Sequence, residues 1–325
     1  MKAIICTGAS DPEDLRLVEK PSLKAGPGQV VIKVAAAGVN FGDSLIIKAP
    51  RPDTLPQAFT PGYEVAGIIH EIGEGVVGLA IGDRVMAFCF TGAYAEQVAV
   101  DARFVYALPD NMEFNVAAGF LAVYGTAYHA LCERAFLKPG DSLLVLGAAG
   151  GAGLAAVEIG RAMGAHVIAG ASNAAKLAIA RQHGAAYAID YASEDLPARM
   201  LALTDHAGVD VLYDTWGHPD TDALVMAMAR EGRYLIIGFA AGGAPKFSAN
   251  VLLYKEVSAV GVYWGQSLAA TAMKNRDNIW RLLDWYRDGK LKPMVSETHP
   301  LQDAAKAMRR LLAREAKGKI VLTAG

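Results

Sequence analysis

The amino-acid sequence predicts an α/β protein in which a doubly wound parallel sheet is joined to a smaller β-rich unit. Three observations carry this. From about 143 to 238, strand-like apolar runs alternate with helical stretches. A glycine-rich turn, Gly147-Ala148-Ala149-Gly150-Gly151-Ala152-Gly153, stands between the first of these strands and its helix. The chain before about Asn115 reads differently, as short β runs cut by Gly and Pro.

Taken in order, β runs fall at 30–34, 65–69 and 84–88, separated by turns such as Gly26-Pro27-Gly28 and Gly82-Asp83. This is the text of a small, irregular β unit of the partly open barrel kind. The run 143–146 has no polar residue, as suits a strand buried on both faces. A helix follows at 154–163, with Gly164 as its stop. Strands at 166–169, 186–190, 209–214 and 233–238 alternate with helices at 174–183, 194–206 and 220–229. Repeated βα units require right-handed crossovers and a parallel sheet. A strand at 259–264, helices at 271–287 and 301–314, and a strand at 319–323 then complete the sheet and return to the N-terminal unit.

Composition narrows the function classes. Of 325 residues, 53% are hydrophobic and 20% charged, which excludes a disordered chain. A net charge of -2 makes no electrostatic case for nucleic acid or an anionic membrane. The first 14 residues lack a basic region followed by an apolar run, so no secretory signal is expected. Cys6, Cys89 and Cys132 are scattered and suggest neither disulfides nor a zinc knuckle, so a reducing cytoplasm is the expected compartment. The stretch 114–132 has no charged residue, but Asn115, Gly119, Gly125, Thr126 and His129 fit a buried helix better than a membrane span. Lys306, Arg309, Arg310, Arg314, Lys317 and Lys319 recur at helical spacing and read as one solvated helix face.

The glycine turn is the strongest local signal. A pyrophosphate needs bare backbone and helix N-terminal N–H groups; Gly150 and Gly151 leave no Cβ in the way, while Gly153 would let helix and strand pack closely. Ala148 stands where the dinucleotide fingerprint has its first glycine. The second strand ends without the acid that binds an NAD ribose; it carries Ser172 instead, with Lys176 four residues on. A hydroxyl and a cation suit a 2′-phosphate, so NADPH is expected over NADH. Ser172 or Asn173 capping the next helix would be compatible with this. The run Gly170-Ala171-Ser172-Asn173-Ala174 can also be read as a hydrolase elbow, which leaves the upstream glycines unexplained. His70-Glu71-Ile72-Gly73-Glu74 lacks the paired histidines of a zincin and no CxxC occurs, so no metal is expected.

Several motifs together resemble a known family. These are Ala37-Gly38-Val39-Asn40-Phe41-Gly42-Asp43, Phe59 to Gly67, Gly82-Asp83-Arg84-Val85, Tyr124-Gly125-Thr126-Ala127-Tyr128, the glycine turn, and Gly238-Phe239-Ala240. In this order they resemble the medium-chain dehydrogenase/reductase superfamily, and within it the zeta-crystallin-like NADPH:quinone oxidoreductases. The resemblance implies a chaperonin-10-like β-rich catalytic domain over 1–117, completed by 265–325, and a Rossmann domain over 118–264, with the nicotinamide in a cleft between them. It implies a cofactor site of Tyr124, Thr126, Gly150, Gly151, Ala152, Ser172, Lys176, Tyr191, Gly238 and Phe239. Asn40, Asp43 and Tyr63 become candidate catalytic residues, with the loop 46–59 shaping the acceptor pocket. Zinc-dependent relatives carry Cys where this chain has Asn40 and His where it has Tyr63, so alcohol oxidation is disfavoured. Reduction of a quinone is expected; an enone or enoyl-thioester reductase and a non-catalytic NADPH-binding protein are the alternatives. A homodimer paired along the edge strand 259–264 is also expected.

Overall fold

The structure is a computed structural model that describes residues 1–50, 56, 58–240 and 242–324. Its contacts divide the chain into two compact units. One comprises Met1–Ala122, Ala269–Leu283 and Pro293–Gly325; the other comprises Val123–Leu268 and Asp284–Lys292.

The first unit opens with β1 (Lys2–Thr7), β2 (Arg16–Glu19) and the long β3 (Gln29–Val39). Val30, Val31 and Ile32 are fully buried, and their β-branched side chains suit a strand paired on both sides. Helix α1 (Phe41–Lys48) follows, then β4 (Ala58–Phe59), β5 (Glu64–Ile72), β6 (Arg84–Phe88), β7 (Gln97–Asp101), β8 (Val105–Ala107) and α2 (Phe114–Ala118). β3 pairs antiparallel with β5 and, on its other side, with β7. The three β runs read from the sequence all form, the first two extending further than their apolar stretch.

The second unit alternates as the sequence predicts. Helix α3 (Leu121–Tyr128) runs into a π-helical turn, His129–Arg134. Then come β9 (Ser142–Leu146), α4 (Gly151–Ala162), β10 (His166–Ala171), α5 (Ala174–Gln182), β11 (Tyr187–Asp190) and α6 (Leu196–Ala202). β12 (Val209–Asp214), α7 (Thr221–Met226), β13 (Met228–Ile236), α8 (Ala249–Lys255) and β14 (Ser258–Gly261) complete it. The six strands are parallel, in the order β11-β10-β9-β12-β13-β14. The order reverses between β9 and β12, so the carboxyl ends there form a topological switch point. β9 is central, and Leu143 to Leu146 are fully buried.

The expected strand 259–264 is corrected here: it closes at Gly261, and Trp264 instead opens α9 (Trp264–Ala270). The cause is local. Gly125 leaves room that Trp264 fills, since a Cβ on that glycine would lie 2.4 Å from the indole, which is 3% exposed.

After α10 (Ala272–Arg287), the chain forms β15 (Val295–Pro300), α11 (Ala304–Leu312) and β16 (Lys319–Thr323). β16 pairs antiparallel with β3 and parallel with β15. Sequence reading passes over β15 because it is an edge strand of mostly polar residues, Ser296 to His299 among them. The cationic stretch is also corrected. Arg309 and Arg310 pair with Glu13 and Glu297, but Lys319 is only 5% exposed and lies on a strand, not on the solvated helix face. Among the described residues, no helix is long and apolar enough to cross a membrane.

Candidate functional site

At the carboxyl ends of the parallel strands, Gly147 leaves β9 with φ +74 and Gly150 stands before α4 with no side chain capping it. The first N–H groups of that 12-residue helix, from Gly151 and Ala152 onward, thus lack intrahelical acceptors. A Cβ on Gly153 would fall 2.2 Å from the Gly147 carbonyl oxygen, so only glycine lets the helix pack on the turn. At Gly150 the nearest atom to an added Cβ is 3.5 Å away, which leaves bare backbone for a ligand. Ala148 is fully buried, so the departure from the fingerprint is absorbed in the core. These features fit a pyrophosphate.

The end of β10 sorts the two capping candidates. Asn173 caps α5 by accepting from the Lys176 backbone N–H at 3.0 Å. The Lys176 ammonium lies 3.5 Å from Ser172 Oγ, so a hydroxyl and a cation adjoin at the end of a strand that itself closes without Asp or Glu. Tyr191 follows β11, donates its N–H to Ala171 at 3.1 Å, and stacks on Trp216. Gly238 follows β13 with its N–H 3.3 Å from the Asp214 carbonyl, and Phe239 is exposed beside it. Thr126 is half-buried on α3. Tyr124, two residues before it, is buried and donates its hydroxyl to Glu158 Oε2 at 2.8 Å. Sequence reasoning misses Asp214 and Trp216; their position at the end of a strand next to the switch point is the signal that could have found them.

Asn40, Asp43 and Tyr63 lie in the first unit, two of them in one buried network. Asn40 precedes α1, and its backbone N–H donates to Asp43 Oδ2 at 2.9 Å. Its amide is held at both ends: Nδ2 donates to Glu64 Oε1 at 2.8 Å, and Oδ1 accepts from Lys319. Glu64 is fully buried, pairs with Lys319 at 2.8 Å and accepts the Ala122 N–H at 2.9 Å. Tyr94 donates to Asp43 Oδ2 at 2.8 Å, while Asp43 Oδ1 is buried with no hydrogen-bond partner. Burial therefore dominates Asp43 and pushes its pKa up to about 7. The donors Tyr94 and Asn40 and the charge of Lys319 pull the other way. Tyr63 is half-buried, tilted against Phe88 at 5.2 Å, and its hydroxyl reaches the space that Gly42 leaves open. Glu64, Tyr94 and Lys319 are the residues the sequence does not single out. Of the acceptor loop 46–59, residues 51–55 and 57 lie outside the described residues. Among the described residues, no group of three or more His, Cys, Asp or Glu gathers as a metal site.

Comparison with known proteins agrees with this architecture. Residues 26–110 match the alcohol dehydrogenase GroES-like domain, and residues 151–279 match the zinc-binding dehydrogenase family. The chain belongs to the medium-chain dehydrogenase/reductase superfamily. Within it, the chain is 35% identical to the quinone oxidoreductase-like protein 2 homolog of Nematostella vectensis, over 99% of this chain and 88% of that one. It is 30% identical to the synaptic vesicle membrane protein VAT-1 homolog of Rattus norvegicus, over 100% and 84% of the two chains. Escherichia coli quinone oxidoreductase complexed with NADPH shares the fold with a TM-score of 0.92, at 27% identity over 100% of both chains.

The network makes a pH-dependent prediction. A carboxyl whose folded pKa is raised contributes stability that is complete below its ordinary value of 3.8 and is lost as pH rises through about 7. Asp43→Asn removes that titration. Between about pH 5 and pH 8, wild type should lose roughly 2–3 kcal/mol more stability than the variant. Urea unfolding at the two pH values measures the difference; parallel losses would mean that Asp43 ionises freely.

Proposed function

We propose that this protein is a zinc-independent oxidoreductase that uses NADPH to reduce a quinone-type acceptor. The observation that carries the cofactor reading is the corner at the end of β10, where Ser172 adjoins Lys176 and the strand itself ends without Asp or Glu. A 2′-phosphate would take a charge-assisted bond from Lys176 and a further bond from Ser172. The N–H groups of Gly150, Gly151 and Ala152 would receive the pyrophosphate. Tyr191 would border the ribose, and Thr126, Gly238 and Phe239 the nicotinamide. Tyr124, whose hydroxyl is given to Glu158, would support the helix that carries Thr126.

Bound NADPH would supply a hydride, and a quinone needs only that hydride and a proton to become a hydroquinone. Asn40, Asp43 and Tyr63 are the residues proposed to serve the acceptor. Asp43 keeps its proton up to about pH 7 and shares a hydrogen bond with Tyr94, which suits a proton store. Zinc chemistry is disfavoured by the donor set: Asn40 and Tyr63 are poor zinc ligands, and the Asn40 oxygen already faces the Lys319 ammonium.

The test of the reaction is a turnover screen with simple quinones, followed at the reduced nicotinamide absorption band. Oxidation of NADPH is expected. Consumption with α,β-unsaturated carbonyls alone would select an enone or enoyl-thioester reductase, and tight binding without turnover a non-catalytic role.

Cofactor selectivity follows from the same corner. Lys176→Ala should weaken NADPH binding by roughly tenfold to a hundredfold and leave NADH nearly unchanged, as loss of a charge-assisted bond of ~1.5–3 kcal/mol requires. Ser172→Asp should disfavour NADPH further and help NADH. Equal weakening of both cofactors by Lys176→Ala would sink the assignment.

We also propose a homodimer joined at β14, the edge of the six-stranded sheet, beside which Leu253, Tyr254 and Tyr263 are 79%, 72% and 71% exposed. Light scattering at micromolar concentration should give twice the chain mass; the mass of a single chain would count against it.

A further inference from the structure

Tyr191 follows β11 and Trp216 follows β12, strands that lie on opposite sides of β10 and β9 in the sheet. Three strand spacings separate them, roughly 14 Å. Their rings nevertheless meet, with centroids 4.6 Å apart and an interplanar angle of 11°. The stacked pair therefore spans the carboxyl ends of β9 and β10, the two strands that lead into the glycine turn and into Ser172. The position of Tyr191 over β10 has its own marker: a Cβ on Gly170 would lie 3.5 Å from the Tyr191 ring.

Trp216 is the fixed member of the pair. Its N–H donates to Asp214 Oδ1 at 2.8 Å, and the same carboxylate holds Gly217, His218 and the Tyr234 hydroxyl. Thr215, just before it, donates its hydroxyl to the Leu146 carbonyl at 2.8 Å, which ties this loop to the end of β9. The His218 ring closes on the Trp216 edge at 5.1 Å and 85°. Both Tyr191 and Trp216 rest on the apolar core that includes Ile189, Leu196 and Met200.

We infer that Trp216 is a positioning residue for cofactor choice: by stacking on Tyr191, it holds that ring beside the Ser172–Lys176 corner, where NADPH and NADH differ. The inference rests on the reading of that corner as a 2′-phosphate site. Offset-stacked rings hold one another more firmly than either holds an aliphatic neighbour, so the effect belongs to the planar face and not to bulk.

The test is calorimetric titration of the full chain with NADPH and with NADH, for wild type, Trp216→Ala, Trp216→Phe and Lys176→Ala. Trp216→Ala should raise the NADPH dissociation constant roughly three- to tenfold and move that of NADH less than about twofold. Trp216→Phe should recover most of the loss. If Trp216→Ala does not fold, Trp216→Leu, which keeps bulk without a ring, carries the same comparison. Equal losses for both cofactors, or no loss, with Lys176→Ala still selective, would overturn the inference while the 2′-phosphate reading stands. A Lys176→Ala variant without selectivity would remove that reading, and this inference with it.

Discussion

Lys319 and Glu64 come from opposite ends of the sequence, are 5% and 0% exposed, and meet at 2.8 Å. Two desolvated charges are costly to bury, and an ion pair repays the cost only when its remaining hydrogen-bonding positions are filled. Here they are: Glu64 also accepts from Asn40 and Ala122, and Lys319 also donates to the Val39 carbonyl at 3.1 Å and to Asn40. The pair thereby fixes which way the Asn40 amide faces, and Asn40 in turn holds Asp43. With Lys319 already committed to Glu64, Asp43 is left with neutral donors, and burial decides its protonation.

The second unit is organised by a comparable economy of charge. Asp214 is 1% exposed and accepts from three successive backbone N–H groups and from Tyr234. One carboxylate at the end of β12 thus shapes a turn that would otherwise leave buried donors unsatisfied. That turn carries Thr215 against β9 and Trp216 against Tyr191. The bare glycine backbone and the aromatic pair are both consequences of strand ends crowding together where the strand order reverses.

The doubly wound sheet was legible because its code is local: apolar runs of strand length, helices between them, and a glycine turn at the first crossover. Helix α1 and strand β15 were less so, since polar residues in each make contacts that no periodicity announces. The Ser172–Lys176 corner was legible as residue types at a strand end. The network around Asn40 was only half legible. Asn40 and Asp43 are three residues apart, but Lys319 lies 279 residues beyond Asn40 and reads as one more charge in a cationic tail. Burial, not type, gives that lysine its role. Trp264 is similar: its apolar neighbours suggest a longer strand, and only the space at Gly125 redirects it.

The separation of Asn40 from Lys319 has a consequence for synthesis on the ribosome. The second unit is almost continuous, Val123–Leu268, and can close its sheet as soon as that stretch has emerged. The first unit cannot, because β16 follows the second unit in the chain and supplies both a pairing partner for β3 and the cation for Glu64. Until then a buried-to-be carboxylate and the Ala36–Val39 end of β3 must wait for their partners, although they are made first. Loop closure over so many residues costs little more than over half as many, so the delay is one of time and not of stability. The dinucleotide-type sheet can therefore be built before the unit that precedes it in the chain has all its strands.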